Sequence, residues 1–223
     1  MLRKMRYRCP RTYERINVDG ILAERVWQKA ERLEFFVPVT LEEPVSKTIA
    51  KLLYDEENLY IGFKCFDCDT KATYTARDSF IWEEDAVELF MKTSTDGPSY
   101  YEFEFSPIKA IFDAFAPVSG NNGKILDYAK WNCKNILVET FISGTLNDSS
   151  DIDEYWSIEI AIPFSSLPTL NGKHPEKGEK WLFHVARYDY SYSLKNSREP
   201  CSCARFSTRD FHNINEWLIL LFD

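Results

Sequence analysis

A tryptophan followed by a run of acids is the segment of this chain best suited to binding chemistry. Trp82 directly precedes three consecutive acids, Glu83 to Asp85, and Glu88 follows within a predicted strand. An indole between a loop and a strand is commonly half-exposed, and its π face suits stacking on the C–H bonds of a sugar ring. A carboxylate beside it would accept hydrogen bonds from hydroxyl groups. In the structural alternative, Trp82 closes the end of a sandwich and the acids form a solvated loop.

Paired carboxylates raise a second hypothesis, that of a glycosidase. Either Glu84 with Glu88, or Glu102 with Glu104, would supply the general acid and base. Such a pair needs a deep cleft and one carboxyl of raised pKa, and the sequence displays neither. Glu102 and Glu104 share one face of a predicted strand, as exposed residues commonly do. The sequence therefore favours a protein that is not an enzyme.

The cysteines are the next residues with ligand chemistry. Cys65 and Cys68 form a C-x-x-C motif, and Cys201 and Cys203 form a C-x-C motif. Four thiolates would bind zinc if the two pairs met in space. The second pair is tightly spaced for a zinc knuckle, and no turn glycine follows either pair. We expect Cys65 to be a small core residue and the other cysteines to be free thiols, so no metal site is predicted.

Two further ligand-binding hypotheses rest on weaker patterns. The acidic segment Asp148 to Glu154 offers the oxygen atoms that calcium prefers, but it lacks the glycine and spacing of an EF-hand, which favours a solvated loop. Met91 with a histidine would be a haem-ligand pair, although Met91 shares its parity with core residues. Walker, Rossmann and G-x-S-x-G patterns are absent from the sequence.

Short segments that alternate apolar and polar residues dominate the chain and predict strands. In Val87 to Lys92, for example, Val87, Leu89 and Met91 share one face and Glu88 lies on the other. The clearest other segments are Leu59 to Cys65, Tyr101 to Phe105, Trp156 to Ile162 and Trp181 to Val185; the less regular ones are Val45 to Tyr54, Ala110 to Phe115, Ile136 to Ile142 and Trp217 to Phe222. Polar turns separate them, including Ser119 to Gly123. About nine or ten strands with hairpin spacing predict an all-β fold, an antiparallel β-sandwich.

Helical spacing is confined to short segments. Ile21 to Ala30 has the spacing of a helix that Asp19 would cap, and a second short turn is expected at Phe164 to Leu167. Residues 1–15 are predicted to be a loose N-terminal arm, and residues 16–223 a single domain.

Composition and charge exclude several classes of function. The 223 residues include 35 acidic and 27 basic side chains, for a formal charge of -8, which argues against binding nucleic acid or anionic membranes. No apolar run approaches the roughly 20 residues that cross a bilayer. The basic N-terminus is not followed by an apolar segment, so a signal peptide is not predicted. We expect a cytoplasmic monomer, with an extracellular location as the alternative if an export signal has been removed.

Read in chain order, a series of segments resembles the family 9 carbohydrate-binding modules and their bacterial relatives. The block around Trp82 is similar to the family's RD…W…D-x-VE-x-F pattern, with Arg77-Asp78 before the tryptophan and Val87-Glu88-Leu89-Phe90 after it. The other matching segments are INVDG (16–20), ERVWQKA (24–30), the hairpin from Thr48 to Phe63, YYEFEF (100–105), WSIEIAIPF (156–164), Phe206-Ser207 and Phe211-His212. The match extends over about residues 16–222, and the order of the segments makes it specific.

The resemblance implies a β-sandwich, immunoglobulin-like or DOMON-like, that binds sugars without cleaving them and is linked to polysaccharide breakdown. In this family two aromatic side chains clamp a terminal sugar, such as a chain end, and polar side chains bind its hydroxyls. Trp82 matches one clamp aromatic and Glu88 matches a hydroxyl-binding acid. Phe206 stands where the family normally has a second tryptophan, and it offers less stacking area.

The resemblance also extends the set of candidate ligand-binding residues. Lys109 lies near the family's basic sugar contact, and Arg77 and Arg187 complete the set. Tyrosines of the segment RYDYSYS would serve as substitute stacking platforms: Tyr188, Tyr190 and Tyr192. Some members of the family bind structural calcium, but no ligand set in this sequence matches theirs, and no other cofactor is implied.

The main competitor to sugar binding is a protein-interaction or structural sandwich that has lost its sugar site. It predicts a buried Trp82 and no groove beside Glu88. A glycoside hydrolase and a haem-binding sandwich are the remaining alternatives.

Overall fold

Short strands and single 3-10 turns make up the regular structure of this chain. The computed structural model describes residues 5–117, 125–194 and 196–223. The strands are β1 (Arg6–Cys9), β2 (Thr48–Tyr54), β3 (Asn58–Phe66), β4 (Ala86–Lys92), β5 (Tyr100–Phe105), β6 (Ile111–Ala116), β7 (Leu137–Ser143), β8 (Tyr155–Pro163), β9 (Lys180–Asp189), β10 (Glu199–Ser202) and β11 (Leu218–Phe222). The 3-10 turns are Arg25–Gln28, Ile81–Glu83, Ile125–Asp127, Phe164–Ser166, Pro168–Leu170 and Ile214–Glu216.

The strands form two sheets, which confirms the predicted β-sandwich. The larger sheet has seven strands in the order β1-β11-β9-β4-β5-β6, with β10 paired to β9. The smaller sheet has four strands in the order β2-β3-β8-β7. The described neighbours pair antiparallel except β1 and β11, which are parallel.

Period-two alternation explains why the large sheet has one core face and one outer face. Val87, Leu89 and Met91 of β4 are buried among the inner residues of the sandwich, as their shared parity predicted. The opposite parity of β4 carries Glu88 and Phe90, and the register pairs them with Glu104 and Glu102 of β5. The outer face of this sheet is therefore where acidic side chains of neighbouring strands meet.

The helix predicted over Ile21 to Ala30 is wrong in extent. Only one 3-10 turn forms there, Arg25–Gln28, with Val26 and Trp27 buried. Asp19 does accept a hydrogen bond from the Ile21 N–H, at 2.9 Å, as a turn residue does. Gly20, at φ +85°, packs against the backbone of β7, which leaves no room for a regular helix start.

The prediction of a loose arm over residues 1–15 also needs correction. Arg6–Cys9 is an edge strand of the large sheet, and its alternate residues Tyr7 and Cys9 are buried. The Tyr7 hydroxyl donates to the carbonyl of Glu31 and accepts from the N–H of Leu52, both at 2.9 Å. The sequence did not predict this strand because it is short and basic, and only two of its residues, Tyr7 and Cys9, face the core.

Two other expectations from the sequence concern a turn and the cysteine motifs. The turn at Ser119 to Gly123 lies outside the described residues. The two cysteine motifs do not bring four thiolates together in the described part of the chain, and all six cysteines are free. Within that same part, no helix has the length and apolar character needed to cross a membrane.

Candidate functional site

A groove of about 260 Å³ opens on the outer face of the large sheet, over β4 and β5. Its floor is formed by four strand residues: Glu88, Phe90, Glu102 and Glu104. Trp82 and Ile125 stand on one side, and Tyr188 with the segment Arg209 to His212 stands on the other. The sheet thus supplies the base and, through Tyr188 of β9, part of one wall, while segments that are distant in sequence supply the rest.

Trp82 lies in the 3-10 turn that leads into β4, and its ring is half-buried. Phe80 and Phe112 contact it edge-on, with ring centroids at 5.1 and 5.2 Å and interplanar angles of 61° and 83°. The carbonyl of Trp82 accepts a hydrogen bond of 2.9 Å from the Tyr190 hydroxyl. Side chain and backbone are therefore both held in place before any ligand arrives.

The acids after Trp82 anchor its loop, in contrast to the expectation of a solvated acidic loop. Glu84 is buried and accepts hydrogen bonds from the backbone N–H of Thr73 and, at 2.6 Å, from its hydroxyl. Asp85 is fully buried and accepts from the N–H groups of Lys71, at 2.6 Å, and Tyr190, at 2.8 Å. These carboxylates fix the loop that presents the indole, so their role in the site is indirect.

Three carboxyl groups form the most unusual feature of the groove. Glu88, Glu102 and Glu104 are each 3% exposed, and one oxygen of each, Oε2, has no hydrogen-bond partner among the described residues. Buried polar atoms are nearly always satisfied, so three unpartnered oxygens lining one groove indicate a place where a polar ligand or water binds.

Burial sets the charge state of this trio. Desolvation raises the pKa of Glu102 to about 8 and raises the pKa values of Glu88 and Glu104 well above their ordinary range. Mutual repulsion adds to the effect at Glu88 and Glu104. The carboxyls are therefore largely protonated at neutral pH, and each can both donate and accept a hydrogen bond.

His212 lies beside the trio without forming an ion pair to it at neutral pH. Its Nδ1 is 3.6 Å from Oε2 of Glu102 and 2.9 Å from the Tyr100 hydroxyl. Burial lowers the pKa of His212 and raises that of Glu102, so both partners are neutral. The groove floor is polar but carries little charge.

The second aromatic wall comes from Tyr188 and Phe211, which both line the groove. Their rings contact each other with centroids 5.9 Å apart. Tyr188 is one of the three substitute platforms considered from the sequence. The Tyr190 hydroxyl instead donates a hydrogen bond to the Trp82 carbonyl. Tyr192, at 60% exposure, lies outside the groove lining.

Phe206, the predicted second clamp residue, lies in the core. It is 0% exposed and packs against His184 and Phe211, at centroid distances of 4.9 and 5.3 Å. The segment that contains it folds over the outer face of the large sheet, and Phe206 is its buried anchor. Phe206 therefore supports Phe211 and presents no face to a ligand in this structure.

Arg187 is likewise buried and belongs to a different cluster. It lies on the inner parity of β9, at 0% exposure, and its Nη2 is 2.7 Å from Asp67 and 3.6 Å from Asp189. Its Nη1 donates to the Phe66 carbonyl at 2.8 Å. An arginine on this parity points between the sheets, so it cannot reach the groove on the outer face.

Arg77 and Lys109 are exposed but lie outside the groove lining. Arg77 forms an ion pair of 2.6 Å with buried Asp113, whose other oxygen accepts from the Cys133 N–H. Lys109 sits in the turn after β5 and pairs with Glu139 of the smaller sheet at 3.0 Å. The six predicted site residues thus separate, and only Trp82 and Glu88 line the groove.

The inner acidic cluster was tested as a calcium site, because the resemblance implied that metal. Carboxylate oxygens of Asp67, Asp85 and Asp189 lie within 4.8 Å of one another. However, the guanidinium of Arg187 engages the Asp67 carboxylate and the Phe66 carbonyl, two oxygens that calcium would need for its usual set of about six to eight. The Arg187 guanidinium is therefore the cation of this cluster and disfavours calcium there, although both carboxylate oxygens of Asp189 have no hydrogen-bond partner among the described residues.

The acidic segment Asp148 to Glu154 is similarly engaged with the backbone. Asp153 is buried and accepts from the N–H groups of Thr145 and Thr70, both at 2.7 Å. Asp148 accepts from the Ser150 N–H at 2.9 Å. These carboxylates stabilise turns, as acidic loop residues commonly do.

Glu102 and Glu104 are groove residues whose burial the sequence did not reveal. The expectation that Glu102 and Glu104 are exposed is wrong, because the segment from Arg209 to His212 and the turn at Ile125 cover them. The available signal was their register: Glu88 and Phe90 of β4 lie on the same outer parity as these two acids of the neighbouring strand.

Comparison with known proteins agrees with this architecture. A family model described as carbohydrate family 9 binding domain-like matches residues 18–217. Among curated proteins, none matches the chain significantly in sequence.

Three solved structures share the fold at low sequence identity. A protein from Bacteroides uniformis whose proposed role is carbohydrate binding has a TM-score of 0.70 and 14% identity, and the alignment covers 99% of this chain and 100% of that one. A family 9 carbohydrate-binding module from Caldicellulosiruptor kristjanssonii in complex with cellotriose has a TM-score of 0.65 and 14% identity, covering 98% and 93% of the two chains. A module of this kind from the same organism in complex with glucose has a TM-score of 0.62 and 15% identity, covering 97% and 95%.

The matched residues take in both walls and the floor of the groove. The sequence resemblance, the two-sheet architecture and the family match all agree. The chain belongs to the carbohydrate family 9 binding domain-like family, a family of non-catalytic carbohydrate-binding modules.

Proposed function

We propose that this chain binds a neutral saccharide in the groove between Trp82 and Tyr188, without cleaving it. The observation that carries this proposal is the combination of a half-buried indole with three carboxyl groups that each keep one unpartnered oxygen. A sugar ring has both an apolar C–H face and a rim of hydroxyls, and the groove offers a matching surface for each.

Stacking on Trp82 supplies the apolar part of the affinity. The ring packs against Phe80 and Phe112, and the Tyr190 hydroxyl holds the Trp82 carbonyl, so little conformational entropy is lost when a sugar lies against the indole. Across the groove, Tyr188 and Phe211 form the facing wall. The apolar contact is non-directional, and selectivity must come from the floor.

The floor supplies the polar part. Glu88, Glu102 and Glu104 are protonated at neutral pH because burial raises their pKa values, so they offer O–H donors as well as carbonyl acceptors to sugar hydroxyls. A neutral floor also avoids the cost of burying an ionised carboxylate under a bound ligand. A few such contacts, each worth about 1 kcal/mol, together with stacking give micromolar to millimolar dissociation constants.

Two structural facts separate this proposal from its competitors. The interaction-domain hypothesis required a buried Trp82 and no groove beside Glu88, whereas Trp82 and Glu88 line one groove. Membership in a binding-module family disfavours the glycosidase hypothesis. Met91, the residue of the haem hypothesis, is 0% exposed on the inner face of β4, away from the groove.

The test is calorimetric titration with glucose, cellobiose and cellotriose. We expect measurable binding that weakens at least about tenfold in Trp82→Ala, a loss of about 1.4 kcal/mol. Tyr192→Ala is the matched control, because Tyr192 is an exposed aromatic outside the groove lining and its removal should leave affinity unchanged. Absence of heat with every sugar, or equal affinity in Trp82→Ala, would refute the proposal.

A further inference from the structure

A second cavity adjoins the proposed sugar groove. Its volume is about 500 Å³, within the range of about 300–1,000 Å³ typical of ligand pockets. The two cavities share three lining residues: Tyr188, Arg209 and Phe211. The two cavities are therefore adjacent, so that linked sugar units could occupy both.

Two arginines line the second cavity, of which Arg198 lines this cavity alone and Arg209 lines both. Arg198 and Arg209 line it together with the exposed Asn196. In the part of the chain that the structure describes, neither arginine forms an ion pair with a carboxylate. Most surface arginines can satisfy their five donors with water, so the exposure of an arginine does not by itself indicate a ligand site. The presence of both arginines in the lining of one cavity is what needs a reason.

Arg198 is held in a defined orientation. Its guanidinium lies 5.2 Å from the ring centroid of Tyr188 and 5.8 Å from that of Tyr190, and its Nη1 donates to the Tyr190 hydroxyl at 3.1 Å. These contacts use one face and one donor of a group with five donors, which leaves its other donors available to an acceptor. A fixed guanidinium binds a planar carboxylate in a bidentate manner with little loss of side-chain entropy.

The nearby carboxylates do not neutralise these arginines by direct contact. Glu199 lines the same cavity, but its Oε1 accepts from the Val45 N–H at 2.7 Å. Asp210 lines the first cavity and accepts from the His212 N–H at 2.9 Å. The trio on the groove floor is largely protonated, so it does not repel an anion that enters the second cavity.

We propose that the second cavity is a subsite for an acidic sugar unit, in which Arg198 and Arg209 bind the carboxylate of a uronic acid while the adjacent neutral unit occupies the first groove. This inference rests on the proposed function, and it narrows the ligand class to oligosaccharides that contain a uronic acid. Tyr188 and Phe211, common to both cavities, would contact the two linked units.

The experiment compares three disaccharides of the same linkage by calorimetry: cellobiose, its analogue with a glucuronic acid at the non-reducing end, and cellobiose 6′-sulfate. We expect the uronic acid analogue to bind about tenfold more tightly than cellobiose at low salt, and this ratio to shrink as salt screens the charge. In Arg198→Gln the ratio should fall towards one. Arg205→Gln is the control, because Arg205 is exposed over Phe36 outside both cavities and should keep the wild-type ratio.

The outcomes distinguish failure of the acidic subsite from failure of the proposed function. Binding of cellobiose with no preference for the uronic acid analogue, or a preference that survives in Arg198→Gln, overturns the subsite and leaves the proposed function standing. A stronger preference for the sulfate ester overturns the carboxylate assignment. Absence of binding to all three sugars refutes the proposed function and the subsite together.

Discussion

Two buried acidic clusters lie on opposite faces of the same sheet, and they differ in how their charge is balanced. On the inner face, Asp67, Asp85 and Asp189 surround the guanidinium of Arg187. On the outer face, three glutamates line a groove. Among the described residues, no lysine or arginine forms an ion pair with them, and Nδ1 of His212, which is neutral, lies 3.6 Å from Oε2 of Glu102.

The pKa values show part of this difference. Arg187 partly offsets the effect of burial on Asp67, whose pKa rises to about 6, whereas that of Glu102, with no such cation beside it, rises to about 8. Burial still raises the pKa of Asp85, in the inner cluster, well above its ordinary value. A cluster with its own counter-charge is a structural element of the core. A cluster that stays uncharged and keeps unpartnered oxygens toward a groove is suited to binding a neutral polar ligand.

The largest effect should come from removing the counter-charge of the inner cluster. Arg187→Met leaves three buried carboxylates without a cation, and we expect a loss of about 3–5 kcal/mol in the free energy of unfolding, measured by urea denaturation. Arg205→Met, a change at an exposed arginine, should cost less than about 0.5 kcal/mol. A loss below about 1 kcal/mol in Arg187→Met would mean that this cluster does not stabilise the fold.

A smaller effect should appear in the pH dependence of stability. The folded-state pKa of Glu102 is about 8, above its ordinary value of 4.5, so its protonated form favours the folded state. This contribution is fully present below pH 4.5 and is lost as pH rises through 8. We expect wild type to lose on the order of 2 kcal/mol more than Glu102→Gln between pH 5 and pH 9.

Urea denaturation at several pH values measures this difference. The other titratable groups that line the groove with Glu102 are Glu88, Glu104, Tyr188, Arg209, Asp210 and His212, and they are common to both proteins. The difference between the two curves therefore reports Glu102. Parallel curves across the range would show that this carboxyl is not held protonated in the folded protein.

Much of the fold follows from alternation along single strands, but the site depends on what covers each face. The parity of β4 predicted that Val87 faces the core and Glu88 does not, and both statements are confirmed. In β9, Arg187 shares its parity with Trp181 and Val185, so the alternation of this strand places it on the inner face, away from the groove.

The parts that could not be predicted depend on long-range packing. Glu102 and Glu104 alternate like exposed residues, and they are buried because residues about 100 positions later fold over them. Phe206 lies in an irregular segment without periodicity, so its sequence position gave no sign of whether it faced the ligand or the core. Local pattern determines which face a side chain takes, and tertiary contacts determine whether that face is open.

Two substitutions of Glu88 test whether the outer cluster binds its ligand in the protonated form. Because burial keeps Glu88 protonated at neutral pH, Gln resembles it in shape, charge and hydrogen-bonding capacity, and Glu88→Gln should bind cellotriose within about twofold of wild type. Glu88→Ala removes the contact and should weaken binding about fivefold, or about 1 kcal/mol, by calorimetry. A strong loss in Glu88→Gln would show that the ionised carboxylate is the binding form.

The smallest effect is expected from calcium. Because the Arg187 guanidinium already pairs with Asp67 and lies 3.6 Å from Asp189, adding millimolar calcium or EDTA should leave the thermal unfolding midpoint unchanged within about 1 °C. A rise of several degrees with calcium, reversed by EDTA, would show that the inner cluster or another acidic site holds the metal.

The most direct test of the groove is an NMR titration of the ¹⁵N-labelled protein with cellotriose. We expect the largest shifts at the Trp82 indole N–H and at the amides of Glu88, Glu102 and Glu104. The Trp27 indole, which donates to Glu159 on the smaller sheet at 2.8 Å, should not move. Largest shifts at Trp27, or no shifts at millimolar cellotriose, would contradict a saccharide site on the outer face of the large sheet.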